Sequence, residues 1–232
     1  MTKRIRKNNT PSSAAAQKPA EEKDIIISFF TNIWKSCKKH KNAVLTALVI
    51  LVVAGVIGYA YTAYTQRRAE DSWAAYYQAQ LALMSGNEAA GLEKFDALAK
   101  DFPGTAAANY GQLLKGDILY SNENYAQAVD VYRPLVNAKQ EMARTAATLS
   151  LAAALQATND YQGAIDTASN FIAHNSESFA LPQAYLTLAM SQELAGKKQE
   201  ALDSYKYLLE NYTKTYFGSV AKDKITDLQK QK

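Results

Sequence analysis

The chain has 232 residues, of which 48% are hydrophobic, 10% aromatic and 21% charged, with a net charge of +4. A length of this order allows one or two domains, and a single cysteine excludes a disulfide framework. The net charge averages two unlike parts, +7 over residues 1–42 and −3 over the remainder, so it makes no case for nucleic-acid binding.

Residues 1–23, MTKRIRKNNTPSSAAAQKPAEEK, have no apolar period and are rich in Ser, Ala, Pro and Lys. They read as a disordered basic tail. Residues 24–41 differ. Ile25, Ile26, Phe29, Phe30, Ile33, Trp34 and Cys37 fall on one face at helical spacing, with Lys35, Lys38 and Lys39 opposite. This is the pattern of an amphipathic juxtamembrane helix lying on an anionic leaflet; a short partner-binding helix is the alternative.

From Ala43 to Thr65 there is no charged residue, a run of 23. About 20 apolar residues span a bilayer core, so 43–65 is expected to be a transmembrane helix. Tyr59, Tyr61 and Tyr64 cluster at its far end, as interfacial rings do. The preceding segment is too long for the n-region of a cleaved signal peptide, and no small-x-small site follows. Cys37 follows Trp-Lys-Ser and precedes the span, which argues against a lipoprotein anchor. Lys35, Lys38, Lys39 and Lys41 crowd the near flank, against Arg67 and Arg68 on the far one. The positive-inside rule then puts the N-terminus in the cytoplasm and the rest outside. No Gly or Pro lies between Gly58 and Gly86. One helix is therefore expected from about Ala43 to about Met84. A break at QRRAEDS, capped by Asp71 or Ser72, is the competing reading.

Beyond the span the chain repeats itself. Gly91, Ala128, Ala164 and Ala201 are separated by 37, 36 and 37 residues. Four residues after each come Phe95, Tyr132, Ala168 and Tyr205, and twelve before each come Ala79, Gly116, Ala152 and Ala189. A fixed period of this length marks stacked repeats. SGNE, NEN, TND and AGKK interrupt the helical period inside each unit, so each unit reads as helix–turn–helix. The small residues allow two backbones to approach where the helices cross. The residue four places on shares their face, and an aromatic there fills space between units.

This lattice resembles the tetratricopeptide repeat (TPR) family, over roughly 71–213. Pro103 matches the family's exit proline, Tyr125 and Tyr161 the tyrosine that opens the second helix, and Tyr185 the large aromatic of the first. The period exceeds the usual 34, and Ala168 replaces the aromatic of unit three. With the span read above, the chain is expected to be all-α: a single N-terminal transmembrane helix, then, as the resemblance implies, an α-solenoid of about four units over 71–232 with a C-terminal capping helix. An irregular helical bundle is the alternative. The family's groove positions correspond to Trp73, Tyr76, Tyr77 and Gln80 in unit one. In unit two they are Tyr110, Leu113, Asp117 and Tyr120; in unit three Leu149, Ala153 and Gln156; in unit four Leu186, Met190 and Glu193. None is Lys or Arg, so the basic clamp by which some members grip a carboxylate is missing. Such a face is aromatic, apolar and mildly acidic, and suits an apolar or basic peptide or a packed protein surface. Tyr76, Tyr77 and Leu113 fit core as well as groove.

Chemistry is not expected. His40 and His174 fall on opposite sides of the membrane in this topology, and Cys37 is with His40, so no metal site can be assembled from them. No phosphate loop and no G-x-S-x-G motif occurs. The chain is read as a non-enzyme without a cofactor.

The layout of short tail, anchor and repeats, carried by FFTNIWKSCKKHKNAVLTALVILVVAGVIGYAYTAY, resembles the family of the bacterial ancillary SecYEG translocon subunit and the periplasmic cell-division coordinator. That resemblance implies a single-pass protein of the bacterial inner membrane with a periplasmic TPR domain, an accessory factor of the secretion translocon. Its implied partners are translocon subunits, periplasmic chaperones or clients, and the lipid bilayer; homo-oligomers are open, nucleic acid is not expected. An envelope-assembly or cell-division scaffold, or a self-associating structural protein, are the alternatives.

Overall fold

The computed structural model describes residues 18–230, without the side chains of residues 18–26 and Cys37. The expected tail therefore lies outside the described residues up to position 17, as do the side chains of Ile25, Ile26 and Cys37. Helix α1, Lys18–Lys39, starts ahead of the expected boundary at 24, so 18–23 are helical. Lys-Pro-Ala-Glu-Glu-Lys has the composition of a helix start, with proline in the first turn and two acids beside the positive end of the dipole.

Helix α2 runs unbroken from Lys41 to Met84, through the QRRAEDS stretch where a break competed. Its strong helix formers, and the absence of any residue that removes a backbone donor, leave nothing to end it there. The chain divides into two compact units between Tyr64 and Thr65, within this helix. In the first unit, no residue of the most apolar stretch of α2 is buried against the chain. Leu45, Ile50, Leu51, Val56 and Ile57 are all exposed, as are Phe29, Phe30, Ile33 and Trp34 on α1. The Lys38 ammonium sits 5.6 Å from the Trp34 ring centroid.

The second unit is a run of helix pairs. The end of α2 pairs with α3, Glu88–Asp101. Next come α4, Ala106–Ser121, with α5, Tyr125–Tyr132, which continues as a 3-10 turn, Arg133–Asn137. Then follow α6, Glu141–Ala157, with α7, Tyr161–His174, and α8, Leu181–Leu194, with α9, Lys198–Asn211. Helix α10, Tyr216–Lys230, closes the stack against α9 and α8. No strand occurs among the described residues.

All twelve lattice positions are buried. Ala79, Phe95, Ala128, Ala152, Ala164, Ala168, Ala189, Ala201 and Tyr205 have no exposed surface, and Tyr132 has 1%. Gly116 shows why smallness is needed: a Cβ there would collide with the edge of the Tyr132 ring on α5. Gly91 lies equally close to the Leu83 side chain. Phe95 reaches across to Gly111 of the next pair, so the aromatic of one unit occupies space vacated in its neighbour. In unit three, where the aromatic is Ala168, Leu188 from α8 packs into the same cluster with Ile165 and Ile172.

The turns share one construction. Gly86, Glu123, Asn159 and Gly196 all have positive φ, between 62° and 80°. Each is followed by an N–H that reaches back five residues: Asn87 to Ala82 O, Asn124 to Leu119 O, Asp160 to Leu155 O and Lys197 to Gln192 O, at 2.8–3.0 Å. These are Schellman closures, which satisfy carbonyls that a helix end leaves unpaired. Asn87 and Asp160 then cap the following helix, accepting from Ala90 N and Gly163 N.

Candidate partner-binding face

First helices touch first helices: α4 meets α6, α6 meets α8, and α8 meets α10. Among α3, α5, α7 and α9, no member touches the next. Helices that pack closely in series lie on the inside of a bend, and those that splay lie outside. The first helices therefore line the inner face, and the expected groove positions are on them.

At the start of the stack this face is aromatic. Trp73 stacks on Tyr110 with ring centroids 6.2 Å apart and 28° between planes. Tyr76 meets Trp73 edge-on at 5.3 Å, and Tyr77 meets Tyr76 at 5.8 Å. Such pairs hold each other's rotamers and add a little beyond area burial. Tyr76 also packs on buried Phe95, with the Gln80 amide donating to its hydroxyl at 3.1 Å. Tyr77 stays 58% exposed. The two readings left open for these tyrosines thus separate: Tyr76 belongs with the core and Tyr77 with the surface.

Other expected face residues also turn inward. Leu113 packs against the cluster of Leu119, Tyr132 and Leu151. Leu149 packs against Phe171 and Ala180, and Met190 against the last cluster, in which Leu186 is buried. Gln156 accepts from the Ser191 hydroxyl at 3.2 Å and so ties unit three to unit four.

Two carboxylates stand on the face. The Tyr132 hydroxyl donates to Asp117 Oδ1 at 2.6 Å, and the Tyr205 hydroxyl donates to Glu193 Oε2 at 2.7 Å. Burial, with the neighbouring carboxylate, raises the pKa of both phenols above the ordinary value. Loss of hydration raises the pKa of Asp117, against the pull of the Tyr132 bond. Glu193 is engaged a second time, by the Lys224 ammonium of α10 at 3.0 Å. Asp117 instead opens on a cavity of about 160 Å³ between α4 and α6, lined also by Tyr120, Ser121, Tyr132, Ser150 and Ala153.

Some of this was not visible at the level of single residues. Ser150 and Ser121 carried no periodic signal, and Lys224 lies outside the repeats. Tyr207 stacks on Tyr185 with centroids 4.0 Å apart and remains partly open to solvent. Burial, then the Tyr207 contact, pushes the Tyr185 pKa up to about 12. His174 is exposed at the end of α7, its Nδ1 2.9 Å from Asn170 O. Among the described residues no group of His, Cys, Asp and Glu is arranged to hold a metal ion.

Paired helices stacked by small residues, with one continuous lined face, define a helical-repeat interaction scaffold. Within that class the chain belongs to the tetratricopeptide repeat-like domain family, whose sequence profile matches residues 35–230. No curated protein sequence matches it. Among solved structures it is similar to a Podosopora anserina protein with nearly identical TPR-like repeats. That match has 15% identity and a TM-score of 0.54, and covers 70% of this chain and 87% of the other. It is also similar to MamA from Desulfovibrio magneticus RS-1, with 15% identity and a TM-score of 0.52, covering 70% of this chain and 90% of that one. At such identities the likeness is one of fold.

Proposed function

We propose that this chain is a single-pass protein of the bacterial inner membrane that holds its TPR-like scaffold on the periplasmic side. There it serves as an accessory factor beside the secretion translocon and its periplasmic chaperones or clients. The observation that carries the anchoring is the uncharged run 43–65, in which no residue is buried and nearly every apolar side chain is exposed. In water such a surface is unfavourable, by about 25 cal/mol for each Å²; in a bilayer it is not. The exposed Phe29, Phe30, Ile33 and Trp34 beside Lys35, Lys38 and Lys39 suit the adjoining leaflet interface. The excess of basic residues before the span supports a cytoplasmic N-terminus. The translocon assignment rests on the layout of tail, anchor and repeats, and on a face without a basic clamp.

Two measurements test it. A reporter active only outside the cytoplasm, fused after Lys232, is expected to be active; activity of a cytoplasm-only reporter would invert the topology. In detergent extracts the chain is expected to co-purify with translocon subunits. Recovery with division or envelope-assembly proteins instead, and no translocon, would replace the assignment with a scaffold for those machines.

A further inference from the structure

The two tyrosine–carboxylate couples of the inner face differ in one respect. Both tyrosines sit at the same repeat position, four residues after the small residue of a second helix: Tyr132 after Ala128 and Tyr205 after Ala201. Each is buried and donates its hydroxyl to an acid on the first helix of its own unit. In unit four the acid is then neutralised, because α10 brings the Lys224 ammonium to 3.0 Å from Glu193 Oε1. Asp117 stands one turn earlier in its unit than Glu193 does in its own, and it forms no ion pair among the described residues. Where a cation would stand there is the cavity of about 160 Å³ instead. That is well above the roughly 15 Å³ that one water needs, and enough for a side-chain head group.

We propose that this pocket between α4 and α6 receives one basic side chain, lysine or arginine, of a partner polypeptide laid along the inner face. The pieces fit a cation and little else. The carboxylate of Asp117 is held at the pocket by the Tyr132 hydroxyl, which engages one oxygen and leaves the other to accept. Ser121 and Ser150 add hydroxyl oxygens that accept from ammonium or guanidinium hydrogens. Tyr120, fixed edge-on against Tyr125 with centroids 5.1 Å apart, offers a ring for the charge to lie against. Ala153 forms the apolar wall that the aliphatic stem of such a side chain covers. No competing cation lies near on these helices: Lys115 pairs with Asp96, and Arg144 donates to Ala138 O at 3.1 Å. Asp117 is itself exposed at the mouth of the pocket, so an incoming cation reaches its carboxylate directly. The chain itself shows the completed form in unit four, with Lys224 in the cation's role. This deepens the interaction-scaffold reading by naming the chemistry of one anchor point.

The test uses the full-length chain in a nonionic detergent, with alanine methyl groups isotope-labelled. The probes are acetyl-arginine-methylamide and its uncharged isostere, acetyl-citrulline-methylamide. The arginine probe is expected to move the Ala153 methyl signal saturably in the millimolar range, and the citrulline probe to bind at least about tenfold more weakly. Asp117→Asn keeps an acceptor for Tyr132 and is expected to abolish the shift while keeping the wild-type circular-dichroism melt. Ala153→Leu, which fills the pocket and leaves Asp117 and its Tyr132 bond in place, is expected to abolish probe-induced shifts at neighbouring alanines such as Ala154. It keeps the question answerable if the first variant does not fold. The absence of any saturable shift in the wild type, equal binding of the citrulline probe, or retained binding by Asp117→Asn would each overturn the pocket. None of these outcomes touches the topology or the translocon co-purification, so the broader function stands or falls separately.

Discussion

Glu123 holds a left-handed backbone, with φ 62°, at the turn position filled by Gly86, Asn159 and Gly196 in the other units. An L side chain there brings Cβ against the following carbonyl, at a cost of roughly 1–2 kcal/mol that glycine escapes. Part of that gain is returned, because glycine leaves the unfolded chain more conformations to lose. Glu123→Gly is therefore expected to stabilise the scaffold by about 0.5–1 kcal/mol, read as a higher denaturant midpoint with an unchanged slope. No change or a loss would mean that the Glu123 side chain makes a contribution the backbone does not reveal. The buried tyrosines give a second prediction at this scale. Burial, and then their hydrogen-bonded partners, raise the pKa of Tyr132, Tyr185 and Tyr205, the second to about 12. A raised folded pKa means that the folded state holds the proton more tightly. The stability this contributes is complete below the ordinary tyrosine value, near 10, and is lost as pH rises through the folded value. Tyr205→Phe is expected to cost about 1–2 kcal/mol at pH 8, where the bond to Glu193 is lost, and to flatten the fall in stability above pH 10. An alkaline slope identical to wild type would show that Tyr205 ionises as freely in the folded chain as in the unfolded one.

Between elements, the packing depends on what is missing as much as on what is present. Ala128 and Ala164 have no exposed surface, and both pack in one cluster with Leu151, Ala154 and Leu155 of α6. A leucine at either site has no direction in which to relax, because dense interiors leave few voids. Ala128→Leu or Ala164→Leu is expected to destabilise by on the order of 1–3 kcal/mol, while Ala126→Leu, on the exposed side of α5, is nearly silent. Equal melting temperatures for Ala128→Leu and wild type would remove the close helix crossing. Ala168→Phe extends the same test to the unit that departs from the pattern: Leu188 already fills the place an aromatic would take, so restoring the family residue is expected to destabilise as well. This is also where the sequence was most readable. Small residues recur because backbone approach tolerates nothing else, so their spacing survives as a periodic signal. The turn geometry was readable at Gly86, Asn159 and Gly196, whose residue types tolerate positive φ, and hidden at Glu123, whose type does not announce it. The face was readable less well. Tyr76 and Tyr77 are adjacent and chemically alike, yet only Tyr76 reaches Phe95, and periodicity cannot say which of two neighbours reaches the core. Lys224 was invisible as a face residue because its partner Glu193 is 31 positions away.

A stack of repeats has two ends, and at the scale of the molecule the C-terminal end is closed by α10. The last cluster gathers Leu186, Tyr205 and Leu208 from unit four with Ala221 and Leu228 from α10, and Phe217 and Ile225 pack at its edge. Without α10 the first three would face water along one side of the stack. Solenoids need such terminal caps, since each repeat covers only its neighbours and an uncovered end presents a core surface. The cap is held by more than apolar area: Lys224 reaches back to Glu193, and Thr215 both accepts from Gly218 N and donates to Tyr212 O, fixing the turn that aims the helix. Gly218 permits that aim, because a Cβ there would collide with the Tyr212 backbone carbonyl. The two contributions are separable. Lys224→Ala removes only a partly exposed ion pair and is expected to cost less than about 1 kcal/mol. Gly218→Val keeps every apolar residue of the cap but forces the turn open, and is expected to cost more than the ion pair does. A chain ending at Thr213 is expected to lose cooperative unfolding of unit four, with unit two melting last. If the shortened chain instead melts as the full one does, α10 is an appendage rather than a cap. Lys224 would then stand as an added charge beside Glu193 and not as the piece that completes it.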